Sequence, residues 1–107
     1  MSSFDERESS FENKFKHDKE LEFKAMARRN KLLGLWAANM LGIHGADAEA
    51  YAKAVLKADL ERPGDQDVVD KLLHDFKERG IDMSEHRLRK QMTELLTAAV
   101  AQIKAEA

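Results

Sequence analysis

The chain has 107 residues, 43% of them hydrophobic and 36% charged, with 18 basic and 20 acidic side chains and a formal net charge of −2. That is room for one small domain and a tail, with no global charge drive toward nucleic acid or an anionic membrane. Cysteine is absent, which removes disulfides and thiolate metal sites. No apolar run approaches the roughly 18 residues of a membrane span, and the N-terminus has no apolar export segment.

One proline and five glycines in an Ala-, Leu-, Lys- and Glu-rich chain favour helices over sheets. The expectation is a soluble, intracellular, all-α protein: a four-helix bundle with a flexible, partly disordered N-terminal arm. The arm covers residues 1–18 and the bundle residues 19–107, with helices at about 19–42, 47–60, 65–79 and 84–105.

The arm comes first. Phe4, Phe11 and Phe15 stand at i, i+7 and i+11, one stripe of a helix, amid charged and small polar residues. Residues 1–20 carry six acids and four bases, and an isolated helix of this length is marginal in water. Such a stripe cannot build a core alone. It either folds back on its own bundle or serves as a partner-binding arm that becomes helical in a groove.

From Lys19 a three- and four-residue repeat of Ala25, Met26, Arg29, Leu33, Trp36, Ala37, Met40 and Leu41 predicts a helix about 35 Å long. Its first turns should overhang the bundle. Gly42 and Gly45 are candidate left-handed caps. Gly34 lies inside the helix at a cost of ~1 kcal/mol relative to Ala, which a close helix crossing would explain. Asp47 is the expected N-cap of the second helix, whose narrow stripe is Ala48, Tyr51, Ala52, Val55 and Leu56; Pro63-Gly64 ends it.

The third helix turns Val68, Val69, Leu72, Leu73 and Phe76 inward, with Asp65, Asp67 and Asp70 complementing its dipole. Gly80 suits a Schellman cap with Ile81 packing back on Phe76. Ser84 should cap the fourth helix beside a staple of Met83 with Leu88. Leu88, Met92, Leu95, Leu96, Ala99, Val100 and Ile103 look like the cleanest amphipathic run in the chain. Short connections favour antiparallel neighbours.

Catalytic signals are missing. His17, His44, His74 and His86 fall in four segments without metal-ligand spacing, and no phosphate-binding glycine motif occurs. We therefore expect no enzyme, no catalytic residue, no metal and no cofactor. Arg28-Arg29-Asn30-Lys31, echoed by Arg87, Arg89 and Lys90, reads as a solvated charged face or a contact for an acidic partner. No aromatic interleaves with these bases, so nucleic acid is not an expected partner. The acids from Asp59 through Glu61, Asp65, Asp67 and Asp70 read as dipole complement and solvation. Trp36, with Leu33, Met40 and Tyr51, reads as core.

Three stretches also carry a family likeness: the arm pattern FDxRExxFExKFxHDxE (residues 4–20), ARRNKLLGLWAA (27–38) and GADAEAYA (45–52), followed by DLERPGDQDV (59–68). Together they closely resemble the ATPase inhibitor subunit zeta of bacterial F-type ATP synthases, over nearly the whole chain. The resemblance implies a four-helix bundle with a mobile inhibitory arm. It implies partners in the soluble ATPase head, namely a catalytic α/β subunit interface and the central rotor stalk. It also implies a place on the cytoplasmic side, peripheral to the membrane-bound synthase and without direct membrane insertion. Inserted as a helix, the arm would block rotation in the hydrolysis direction and permit synthesis. Carried to matching positions, the inhibitory residues are Phe4, Asp5, Arg7, Glu8, Phe11, Glu12, Lys14 and Phe15. The alternative is a helical adaptor or scaffold whose arm binds some other partner.

Overall fold

A computed structural model describes residues 19–62 and 64–106. Four helices follow in order: α1 (Lys19–Leu41), α2 (Ala46–Glu61), α3 (Gln66–Glu78) and α4 (Glu85–Glu106). No strand occurs among the described residues. The arm, with all eight of its expected inhibitory residues, lies outside them.

The helix ends follow local backbone chemistry. At the end of α1, Gly42 takes φ 77°; its N–H donates to the Asn39 carbonyl at 3.2 Å, and that of Ile43 to Ala38 at 2.8 Å. Gly80 repeats this pattern after α3, where the Ile81 N–H reaches the Phe76 carbonyl at 2.8 Å and the Gly80 N–H that of Lys77 at 3.0 Å. These are two Schellman caps. Ser84 caps α4, its Oγ accepting from the Arg87 N–H at 3.1 Å. Arg62, ahead of Pro63, is extended, as a residue before proline should be.

One expected cap is different in the fold. Helix α2 begins at Ala46 behind Gly45, at φ 63° and without any side-chain cap. Asp47 is therefore in the first turn, where its charge still suits the dipole. Asp65 occupies the N-cap position of α3 but makes no cap bond, because its carboxylate is held elsewhere.

Helix α1 is the axis of the assembly and packs on α2, α3 and α4, whereas α2 and α4 do not pack on each other. One contiguous core joins Leu33, Ala37 and Leu41 of α1 to Val55, to Val68, Val69, Leu72 and Phe76, and to Leu88 and Met92. The first fully buried residue of α1 is Ala25, and Leu21 and Glu22 ahead of it are half-buried. Trp36 and Phe76 meet edge-to-face at 5.9 Å between ring centroids. Leu33 is buried, while Trp36, Met40 and Tyr51 pack on the core half-buried. The sharpest division of apolar from polar faces belongs to α3 rather than α4. Val68, Val69, Leu72 and Phe76 are almost wholly sealed, while Leu95, Leu96 and Val100 of α4 stay half-exposed.

Gly34 is explained by the crossing of α1 and α2. A Cβ built on it would lie 2.5 Å from the Ala52 Cα, so only glycine permits this approach.

Candidate functional site

The patch Arg28-Arg29-Asn30-Lys31 of α1 concentrates much of the polar chemistry of the described chain. Its four residues have three different fates, decided by where each points on the helix. Arg28 reaches α4, donating to Gln102 Oε1 at 2.7 Å and pairing with Glu106 at 2.7 Å. It ties the end of α4 to the middle of α1.

Arg29 turns the other way and is only 2% exposed. It donates through Nη1 and Nη2 to the two Asp65 oxygens at 3.0 and 2.8 Å, a bidentate fork. Nε and Nη2 also donate to Asn30 Oδ1 at 3.0 and 2.8 Å, and Asp59 lies 3.7 Å from Nη2. Hydrogen bonds from Arg29 hold the Asp65 carboxyl below its usual range; burial opposes this, and the charges of Arg29 and Arg89 add to it. Asn30 is fully buried, and its Nδ2 has no hydrogen-bond partner among the described residues.

The sequence reading of this patch as a solvated face or an acidic-partner contact therefore fails for Arg29 and Asn30. The cluster fastens the α2–α3 connection to α1. The acidic run is corrected with it, since Asp65 is the counter-ion of Arg29. Lys31 alone of the four is exposed. One signal of this was present: Arg29 falls on the apolar stripe of α1, where a charge needs a buried partner.

A second polar group locks α2 to α3. The Tyr51 hydroxyl donates to Asp75 Oδ2 at 2.6 Å, and Lys71 both pairs with Asp75 at 3.2 Å and sits 5.2 Å from the Tyr51 ring centroid. Burial first, then the bond to Asp75, pushes the Tyr51 phenol far above its ordinary value. Arg79 donates to the Leu41 carbonyl at 2.9 Å, which joins the C-terminal ends of α1 and α3. Among the described residues, no group of three or more His, Asp or Glu side chains is placed to hold a metal.

A cleft of about 580 Å³ runs along α1, between α2 and the end of α4. Its floor and walls include Phe23, Ala27, Leu56 and Ile103, and its rim Lys31 and Lys53. Phe23 is 60% exposed there, one of two large apolar side chains so placed among the described residues. Sequence reasoning passed over this cleft, because Phe23 sits off the apolar stripe of α1.

The ATPase inhibitor subunit zeta family matches residues 1–102. The chain belongs to that family. The match runs through the arm as well as the helices, and no helix among the described residues is long and apolar enough to cross a membrane. A structure solved by NMR in solution is similar, with a TM-score of 0.71 and 44% identity, over 81% of this chain and 99% of that one. No curated protein matches. Membership of the zeta family supports an inhibitor role for the chain.

Proposed function

We propose that the chain restrains ATP hydrolysis by the F-type ATP synthase, with residues 1–18 as the effector. The arm enters a catalytic α/β subunit interface of the soluble head as a helix and reaches the rotor stalk. There it blocks rotation in the hydrolysis direction while permitting synthesis. Phe4, Phe11 and Phe15 are the apolar anchors; Asp5, Arg7, Glu8, Glu12 and Lys14 pair at the rim of the groove. The bundle remains outside as an anchor that limits insertion, on the cytoplasmic side of the membrane. The chain acts by binding and carries no catalysis of its own.

The observation that carries this reading is the extent of the family match, which includes the arm from residue 1. Packing supports it: residues within 25–103 form a contiguous core of their own. Length supports it too. Continued as one helix, residues 2–41 would span about 60 Å, enough to reach from a bundle outside the head toward its axis.

The test is an ATP-hydrolysis titration of the isolated synthase head with the full chain and with a chain lacking residues 2–15. Inhibition by the first and none by the second, with the shortened chain still folded, is the expected result. Full inhibition by the shortened chain refutes the arm as effector.

A further inference from the structure

The two large apolar side chains exposed among the described residues, Phe23 at 60% and Leu60 at 62%, share one end of the bundle. Helices α1 and α2 run antiparallel: Gly34 meets Ala52, and Arg29, five residues back along α1, meets Asp59, seven residues on along α2. From the Gly34–Ala52 crossing, Phe23 is eleven residues away along α1 and Leu60 eight along α2, about 16 and 12 Å. The two are thus level to within about 5 Å along the bundle. Leu56, one helical turn before Leu60 on the same face of α2, lines the cleft together with Phe23. Phe23, Leu56 and Leu60 form an apolar strip across this end, continuous with the cleft floor.

The core does not call for this strip. Buried packing of the two helices is carried by other positions, among them Ala25 and Leu33 of α1 and Ala52 and Val55 of α2. Charge selects no occupant either, because Lys31 and Lys53 share the cleft with Glu49 and Glu106. A patch of exposed phenylalanine and leucine carbons without a charge bias suits an apolar protein surface.

Covalent connection says which surface that is. Phe23 follows Phe15, the last anchor of the arm, by eight residues. That is about 12 Å of helix and at most about 28 Å of extended chain. Leu41, at the other end of α1, is about 27 Å farther off. Whatever groove holds the arm therefore has the Phe23–Leu60 end of the bundle at its mouth.

We infer that this end of the bundle makes a second contact with the synthase, an apolar seat on the outer surface of the soluble head beside the groove that takes the arm. The inference rests on the inhibitory reading of the arm and gives the anchoring bundle its bearing surface. The seat forms once the arm is in place, so it slows release of the inhibitor rather than speeding its encounter with the head.

The test uses the full chain and the isolated synthase head. Phe23→Ala and Leu60→Ala should each weaken inhibition of ATP hydrolysis by about three- to tenfold. The loss should lie in a faster release rate, with the association rate and the thermal midpoint of the free chain unchanged. Potency and release rate equal to the parent's overturn the seat. A photo-reactive benzoylphenylalanine placed at Phe23 keeps an aromatic side chain there and reads the contact directly. It should cross-link to a subunit of the head, whereas the same group at His44, exposed beyond the far end of α1, should not. No cross-link from position 23, equal cross-linking from both positions, or a cross-link only to a second copy of the chain overturns the inference. The two readings fail separately. A parent chain that inhibits without this cross-link loses the seat and keeps the arm; one that cross-links without inhibiting keeps the contact and loses the inhibitory reading.

Discussion

Arg29 and Asp65 are 36 residues apart and face each other through two parallel hydrogen bonds of 3.0 and 2.8 Å. The arginine side chain is 3% exposed and the aspartate 31%, so one partner is buried and the other lies at the edge of the core. This pair, rather than a side-chain cap, fixes the start of α3 against α1. Arg29→Ala would leave Asp65 and the Asn30 carbonyl without their donors. The partial exposure of Asp65 places the cost below that of a fully buried pair, at about 2 to 3 kcal/mol. Urea unfolding of the two chains measures it, and a loss within error of zero would show the fork to be energetically idle.

The same pair has a pH signature. The Asp65 carboxyl is lowered from its ordinary value of 3.8 in the fold, so the unfolded chain binds the proton more readily. Stability from this group is therefore fully present above the ordinary value and is lost as pH falls through the folded one. Asp65→Asn should be less stable than the parent at neutral pH, and the gap should close as pH falls below about 4. Denaturation midpoints of both chains from pH 7 to 2.5 decide it; a gap constant with pH contradicts the assignment.

Gly34→Ala sets helix propensity against packing. Alanine favours the helix by ~1 kcal/mol, but its methyl would lie 2.5 Å from the Ala52 Cα and 2.9 Å from its Cβ. Backbone must move, so a net destabilisation of about 1 to 3 kcal/mol is expected. Adding Ala52→Gly should recover little, because the nearest atom is Cα, which glycine keeps. Recovery of the parent's thermal midpoint in the double variant would place the clash in the side chain instead.

For the arm, Phe11→Ala should weaken inhibition by about tenfold or more, as loss of a buried aromatic anchor does. Substituting any one of Asp5, Arg7, Glu8, Glu12 or Lys14 by Ala should cost less, since rim charges remain partly hydrated. Dose–response curves for ATP hydrolysis rank the six variants. Equal potency of Phe11→Ala and the parent would discard the anchor role.

Much of the fold was legible before any coordinates. The four helices follow from periodic apolar residues and from the glycine, proline and serine chemistry at their ends, all of which acts within a few residues. The cap at Gly80–Ile81 and the Ser84 cap could be read in advance because their bonds span three to five positions. Asp47 misled because an acidic residue near a helix start serves either as cap or as first-turn charge, and only backbone dihedrals separate the two.

The candidate site was legible in one half only. Family likeness marks the arm, and the arm's stripe can be read directly from residue spacing. The cleft and the buried cluster could not be read this way, because each is assembled from distant segments: Phe23 with Leu56 and Ile103, and Arg29 with Asp65 and Asp59. A charged residue in a run of charges looks solvated until its helix is rotated against a neighbour.

The sequence by itself thus determined the all-helical class, the helix boundaries to within a residue or two, and the inhibitor family. It did so through periodicity, turn chemistry and motif content, which are local properties of the chain. Only the tertiary structure decided that Arg29 is buried while Lys31 is exposed, that Gly34 is a contact with Ala52, and that a cleft with an apolar floor opens along α1. Those outcomes depend on the relative rotation and spacing of whole helices, which is settled by how their side chains fill the space between them.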